Sequence, residues 1–519
     1  MKIKKLLALV LAGAMTATML VGCGNDTGST TGDNSGSTTT DNGGSTTTDN
    51  SGSDAETPVA SDGVVTINVT RDTFDLASPD SAQVQKVQDA VNAYIADKIN
   101  VQIVLTDIGN GEYADKANLA LANNEINLLW TASWMGTIGT NDLVPANAVY
   151  DITDLLPGTP LYESMDAGQW EATKYNGRNY FIPVYKDNVE GYDIMARKDL
   201  VDKYGWDMSS VKKLADIEPY LADAKAEGLK YPWLTQKTAM FYRFYIDSFD
   251  FFTADGTSNW VAVDRASNTV VETILTPEYL EFCTLMAEWG EAGYISEDDA
   301  AKVTTETTTQ TQDWAFSWWT DIPVNDEANA RYGQDVVMAP VTQRWAHSTS
   351  ALGSAYAVTA NCTPEQAQAC IDFMGLLYTD SKLADMWTYG IEGEDFNYDA
   401  NGLVVRDSDK YRHQMWESAS ATVVTPLDNE PANKGELYDA FNSSASTSCA
   451  AGFRFDKSPV EAQYTACQNV YNEYGFALEN GAYPVADVES TIDAYYAALN
   501  EAGYQDVVAE FVKQYDAWK

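Results

Sequence analysis

Histidine is nearly missing. His347 and His413 are the only two in 519 residues, and their separation rules out the H-E-x-x-H pair of a zinc metalloprotease. No G-x-S-x-G elbow and no G-x-x-x-x-G-K-[ST] loop occurs, which excludes the common serine-hydrolase turn and a Walker-type nucleotide site. Basic residues are scarce as well: 32 Lys and Arg stand against 76 Asp and Glu, a formal charge of −44. Such a balance makes nucleic acid or an anionic lipid surface an implausible partner. Cysteine is sparse and irregular. Apart from Cys23 there are Cys283, Cys362, Cys370, Cys449 and Cys467, an odd number that forms no disulfide framework and reads as buried free thiols. In "CTPEQAQAC", Thr363 reads as a helix N-cap with Pro364 at N1 and Gln366 at N3. That places Cys370 about 10 Å up the helix, beyond disulfide reach of Cys362; a Cys449–Cys467 bond stays open. The acidic run "SEDDA" (296–300) lacks the glycine and distal glutamate of an EF-hand loop, so it reads as an exposed turn. No metal and no cofactor is expected.

What the chain does have starts at its first residue. Lys2, Lys4 and Lys5 precede the apolar run "LLALVLAGAMTATMLVG", the pattern of a secretory signal over residues 1–22, too short and wrongly flanked for a stable membrane span. Leu20-Val21-Gly22-Cys23 resembles the bacterial lipoprotein processing box, which implies diacylglyceryl transfer to the Cys23 sulfur and cleavage before it. Stable anchoring by acyl chains requires more than one. Residues 24–62 contain no Lys or Arg and repeat "GSTTTDN" at 36–42 and 44–50. Such a segment cannot bury enough apolar surface to offset its conformational entropy. Residues 23–62 therefore read as a lipidated cysteine and a disordered linker, with a contour of about 130 Å and a relaxed span of about 35 Å.

The remaining chain is long enough for two or three packed units. It opens with the β-rich "VVTINVT" (64–70), then a helix that aligns Val84, Val87, Val91, Tyr94 and Ile95 on one face. "NVQIVLTDIG" reads as a strand, "YADKANLALANNE" as a helix and "INLLWTASW" as a buried strand running into a loop. Strand, helix, strand, helix, strand predicts an α/β fold with a largely parallel sheet. "YNGRNYFIPV" reads as a hairpin about Asn176-Gly177, 251–271 as another hairpin, and a helix before Gly228 as closed by it. "QDWAFSWWTDIP", "DVVMAPV" and "SAYAVTANC" read as strands, and helices dominate the C-terminus, notably 487–517.

Four blocks in this order resemble the extracellular solute-binding lipoproteins of ABC importers, family 1, the broad group that includes maltose-binding protein. They are "INLLWTASW…GTNDLVPANAVYDITDLLP", "ATKYNGRNYFIPV…GYDIMARKDL", "WAFSWWTDI" and "DVVMAPV…ALGSAYAVTANCTPEQAQACIDFMGLLYTD". The stretches "YGIEGEDF" and "GFRFDKSPVEAQ" resemble the long, sugar-associated branch common among Gram-positive lipoproteins. The resemblance implies a two-lobed periplasmic-binding-protein-like α/β fold, each lobe a mixed, mainly parallel sheet flanked by helices, with ligand in the interlobe cleft. Lobe 1 is expected at 63–183 plus 350–398 and lobe 2 at 184–349 plus 399–519. It further implies a monomer tethered to the outer face of the cytoplasmic membrane, on a Gram-positive cell surface, which closes on a solute and hands it to the transmembrane subunits of an ABC permease.

An oligosaccharide fits that role. Its C–H faces need aromatic platforms and its hydroxyls need acids, amides and arginines, and this chain carries 14 Trp and 30 Tyr. Cleft loops inferred from the resemblance hold Ser133-Trp134, Tyr185 and Asp187, Trp233 and Tyr242, Trp318-Trp319, and Arg344-Trp345. The aromatics would stack on sugar rings, while Asp187 and Arg344 would hydrogen-bond hydroxyls. Strand alternation places Trp314, Phe316 and Trp318 on one face and Trp319 on the other, so only one face can reach a ligand. Two alternatives stay open. Oligopeptide or another solute could be held by the same architecture, and a tethered glycoside hydrolase or lyase would need two carboxylates at a set separation, which 76 acids leave unassignable. The expected role is binding without catalysis.

Overall fold

The computed structural model describes residues 63–236, 238–252, 258–300, 313–324, 333–347 and 349–519, all within the unit Ala60–Lys519. The leader, the Cys23 anchor and the linker expected from sequence lie outside the described residues. Strands Val65–Thr73 and Val101–Gly109 pair in parallel from Val65 opposite Val101 to Thr73 opposite Gly109. Their period-two apolar positions, Ile67 and Val69 on one strand and Ile103 and Leu105 on the other, are buried, as a half-covered sheet requires. Helix Ser81–Ile95 supplies the cover with Val84, Val87, Val91 and Ile95. Asp80 caps it by accepting the Ala82 and Gln83 N–H groups, satisfying two of its orphan donors. Leu128–Thr131 joins the other edge of Val65–Thr73 in parallel, and Ala355–Val358 and Phe181–Pro183 complete a five-stranded sheet through antiparallel pairings.

The second sheet orders Val336–Pro340, Tyr192–Arg197, Trp314–Thr320 and Tyr231–Trp233. Only its Trp314–Thr320 and Tyr231–Trp233 pair is parallel; the other two are antiparallel. The mainly parallel expectation fails here because Tyr192–Arg197 enters from the other lobe and runs against its neighbours. Around the two sheets lie two separate large apolar cores, the two lobes.

Local signals in the sequence are realised closely. Tyr175 and Arg178 bridge across Asn176 and Gly177 at φ +49° and +84°, the left-handed pair of a type I′ turn. Thr363 and Gln366 form a reciprocal capping box with Pro364 behind them. The expected 487–517 helix is instead two, Val488–Glu501 and Tyr504–Trp518, parted at Gly503 with φ +91°. The expected 251–271 hairpin is part of a three-stranded ribbon, Phe249–Asp250, Val261–Asp264 and Thr269–Glu272.

One domain boundary moves. Val404, Tyr411, Met415, Val424 and Tyr438 belong to the first core, so 399–438, assigned from sequence to lobe 2, packs with lobe 1. Residue 398 is no boundary because it sits inside a hairpin whose strands Phe396–Tyr398 and Val404–Arg406 pair directly. Among the described residues the chain passes between lobes near 186–191, 342–351 and 439–449. These passages are laced together. Glu190 and Trp345 exchange backbone hydrogen bonds, Trp345–Ala346 pairs with Ser446–Thr447, and the Asn188 N–H donates to Asn442 Oδ1 at 2.9 Å. The side-chain amide of Asn442 donates in turn to the Lys186 carbonyl at 2.6 Å.

Candidate functional site

Strand Leu128–Thr131 ends in the first lobe at a point where the chain must turn, and Ser133 and Trp134 follow. Ser133 N–H donates to the Leu352 carbonyl at 2.8 Å, and Trp134 Nε1–H to the Gly353 carbonyl at 2.8 Å. The indole is thereby held by its edge while 42 % of the residue stays exposed. Phe74, at the end of Val65–Thr73, packs 5.8 Å from Trp134 and 4.7 Å from Trp416 over the buried Trp130. These rings form an aromatic shelf on the first lobe.

Opposite stands a wall of the second lobe. The two enclose a cleft of about 600 Å³, with Ser133, Trp134 and Asn141 on one side and Trp260, Phe455, Tyr464 and Phe511 on the other. Among the described lining residues the walls are joined by the ion pair of Lys457 Nζ with Asp142 Oδ1 at 2.9 Å; away from the cleft lining, Arg454 donates to the Ala172 carbonyl at 3.3 Å. Burial pushes the Arg454 guanidinium down to about 9, because a desolvated cation is disfavoured.

A buried ionic network supports the shelf from behind. Arg71 makes a bidentate pair with Asp107, 3.0 Å at both contacts, and its guanidinium lies 3.9 Å over Trp387. His413 Nε2 stands 2.9 Å from Asp107. Burial alone would raise Asp107, yet Arg71 and His413 hold it down at about 2. Asp72, two residues before Phe74, is pushed up to about 7 by burial and by the Glu417 carboxylate. The Thr73 N–H and His413 oppose that rise without cancelling it, because desolvation and like charges both disfavour the carboxylate.

The other sequence-predicted site residues do not gather in this cleft. Tyr185 is 6 % exposed, donates to Asp439 at 2.7 Å, and lines a separate groove of about 490 Å³ beside the interlobe passages. Asp187 is paired with Lys186 at 2.9 Å, and Arg344 is clamped on Asp321 at 2.5 and 3.2 Å over the Phe441 ring. Both are therefore local ion pairs rather than unengaged hydroxyl ligands. Burial, and then the Asp321 carboxylate, push the neighbouring Asp193 up to about 8. Trp233 is fully buried against Trp289 and Phe244, a core residue. Trp319 is buried with Trp314, Met195 and Tyr231, whereas Trp318 is half-buried beneath Arg243 at 3.8 Å. Both faces of that strand are covered, and Trp314 sides with Trp319. Tyr242 is 4 % exposed and borders a small void next to the His347–Glu190 pair, 2.6 Å apart. Trp345 is half-buried, bonded to Asp247 and lying under Arg265.

Sequence reasoning missed Phe74 and Trp416, which pack in the ring cluster around Trp130, and the second-lobe lining of Phe455 with the largely buried Trp260, Tyr464 and Phe511. "GFRFDKSP" was a detectable signal, two phenylalanines in a Gly- and Pro-bounded loop; for the others only the tertiary fold brings them to their places. The thiols are free, as expected from the sequence, although Cys449 is exposed rather than buried. Cys362 and Cys370 are both free, and both approach the Asn127 carbonyl, at 3.5 and 3.8 Å. Cys449 and Cys467 are free as well.

Comparison with known proteins places this geometry in context. The family described as bacterial extracellular solute-binding protein matches residues 89–392, and a domain of unknown function matches 449–519. A carbohydrate ABC transporter substrate-binding protein of Streptococcus pneumoniae is 23% identical over 439 residues, covering 82% of this chain and 86% of the relative. The N-glycan transport solute binding protein of Streptococcus pneumoniae superposes with a TM-score of 0.74 at 20% identity, over 87% of this chain and 98% of that one. Its complex with Man5GlcNAc gives 0.64. An HMO-binding, ABC-transporter-associated solute-binding protein from Bifidobacterium longum infantis gives 0.59 at 16% identity, over 88% and 99%. At these identities the structural likeness speaks for the two-lobed fold.

Proposed function

Because the chain belongs to the family of bacterial extracellular solute-binding proteins, we propose that it captures an oligosaccharide between its lobes and delivers it to an ABC permease. The observation that carries this reading is the cleft of about 600 Å³ with aromatic rings on both walls and Trp134 presented at 42 % exposure. Sugar rings stack their C–H faces on such platforms, and cavities of this size suit a ligand of a few rings. The names of the relatives, which specify carbohydrate, N-glycan and HMO ligands, support the same class.

Capture works by hinge closure. The passages near 186–191, 342–351 and 439–449 are the joints about which the lobes rotate. Ligand contacts made only in the closed form shift the equilibrium toward it, and the permease reads that form. A diacylglyceryl group on Cys23 holds the monomer at the outer face of a Gram-positive cytoplasmic membrane, and the cargo leaves chemically unchanged.

Titration calorimetry with Man5GlcNAc and other neutral oligosaccharides, with oligopeptides as controls, tests the proposal. Saturable heat with a sugar is expected. Heat with peptides alone would overturn the ligand class, and new reducing ends appearing on incubation would overturn the non-catalytic role.

A further inference from the structure

The charges of the cleft bear on which oligosaccharides it takes, an inference that rests on the capture reading above. A glycan carrying carboxylate or sulfate must bring that charge into a closing, partly dehydrated site. The cost is high unless a cation or free N–H donors meet it. Among the described cleft-lining residues Asp142, Asp456 and Glu461 are acidic, and the only base is Lys457. Lys457 is already committed to Asp142 at 2.9 Å.

Of the cations in the neighbouring loops, Arg454 has no carboxylate partner among the described residues but is enclosed at 3 % exposure with its guanidinium on the Ala172 carbonyl, and the others are held in ion pairs. Lys186 lies on Asp187 and Arg344 on Asp321, while Arg406 and Arg412 share Asp75 at 3.3 and 3.7 Å. The turn that opens helix Glu461–Val470 would offer backbone donors, but Asp456 Oδ1 takes the Ser458 N–H at 2.9 Å and its hydroxyl at 2.6 Å. Aromatic faces carry negative π density, which welcomes C–H groups and repels anions. The chain's −44 charge adds long-range repulsion of the same sign.

We propose that the cleft selects uncharged oligosaccharides and rejects glycans bearing carboxylate or sulfate. The test uses the mature chain and matched probes. These are Man5GlcNAc and its derivative with primary hydroxyls oxidised to carboxylates, and further neutral oligosaccharides paired with uronate- or sulfate-bearing counterparts. Each pair is compared by calorimetry at low and physiological salt. The acidic member is expected to bind at least about tenfold more weakly, with the gap narrowing as salt screens the repulsion. Glu461→Lys, at an exposed position, is expected to narrow it further by strengthening the acidic member. An acidic glycan that binds as tightly as its neutral partner overturns the charge selection and leaves sugar capture standing. Binding of no glycan at all overturns capture itself and this inference with it.

Discussion

Trp134 and Trp233 are the same residue type with opposite assignments. Trp134 keeps 42 % of its surface exposed in the cleft, while Trp233 is fully enclosed. Trp134→Ala is expected to weaken oligosaccharide binding by about tenfold or more, the scale of a lost aromatic anchor, and to leave thermal stability nearly intact. Trp233→Ala is expected to cost about 3–5 kcal/mol of stability through the cavity it leaves. Calorimetry and thermal denaturation of both variants separate the roles, and an unaltered affinity in Trp134→Ala would remove the shelf from the site. Residue type alone could not make this distinction. An indole reads the same in a sequence whether helices cover it or a cleft opens beside it, and in Trp314–Thr320 both faces of the strand are covered, so alternation gave no exposed side to choose.

Elements were legible where their signals are local. The Thr363–Gln366 capping box, the Asn176-Gly177 turn and the apolar stripe of Ser81–Ile95 each depend on side chains within a few positions of one another, and each is present. Thr363→Ala is expected to cost about 1 kcal/mol, measurable by chemical denaturation with an unchanged slope. Elements that depend on distant partners were not legible. The attachment of 399–438 to the first core rests on contacts such as Arg71 with Tyr411, 340 positions apart, and no periodicity announces them. The interlobe passages belong to the same class. Asn442→Ala removes two hydrogen bonds between passages and is expected to destabilise by about 2 kcal/mol. It should also shift the ligand-free solution dimensions measured by small-angle scattering.

At the scale of the whole molecule, Asp72, Asp193 and Glu479 stand out among the described buried carboxyls as those pushed well above their usual range. Burial, reinforced by neighbouring carboxylates at the two aspartates, pushes Asp72 and Glu479 up to about 7 and Asp193 up to about 8. A carboxyl whose folded pKa is raised stabilises the fold fully below its unfolded value, near 4, and that contribution is lost as pH rises through the folded value. Asp107, held at about 2, acts in the opposite sense: its contribution is present above about 4 and is lost as pH falls toward 2. The melting temperature is therefore expected to peak at mildly acidic pH and to decline toward pH 8. Asp72→Asn should flatten the alkaline limb. A maximum at pH 8 would contradict this.

The passages between lobes carry one more consequence. Their number, as described, is odd, so the chain enters in one half and finishes in the other. Strand Val65–Thr73 belongs to the first core and helix Tyr504–Trp518 to the second. If the anchor proposed at Cys23 is present, its pull would reach the first jaw directly and the second only through the passages. Dyes attached near Gly63 and Lys519 would then ride on opposite jaws, and the energy transfer between them would count closing events one molecule at a time.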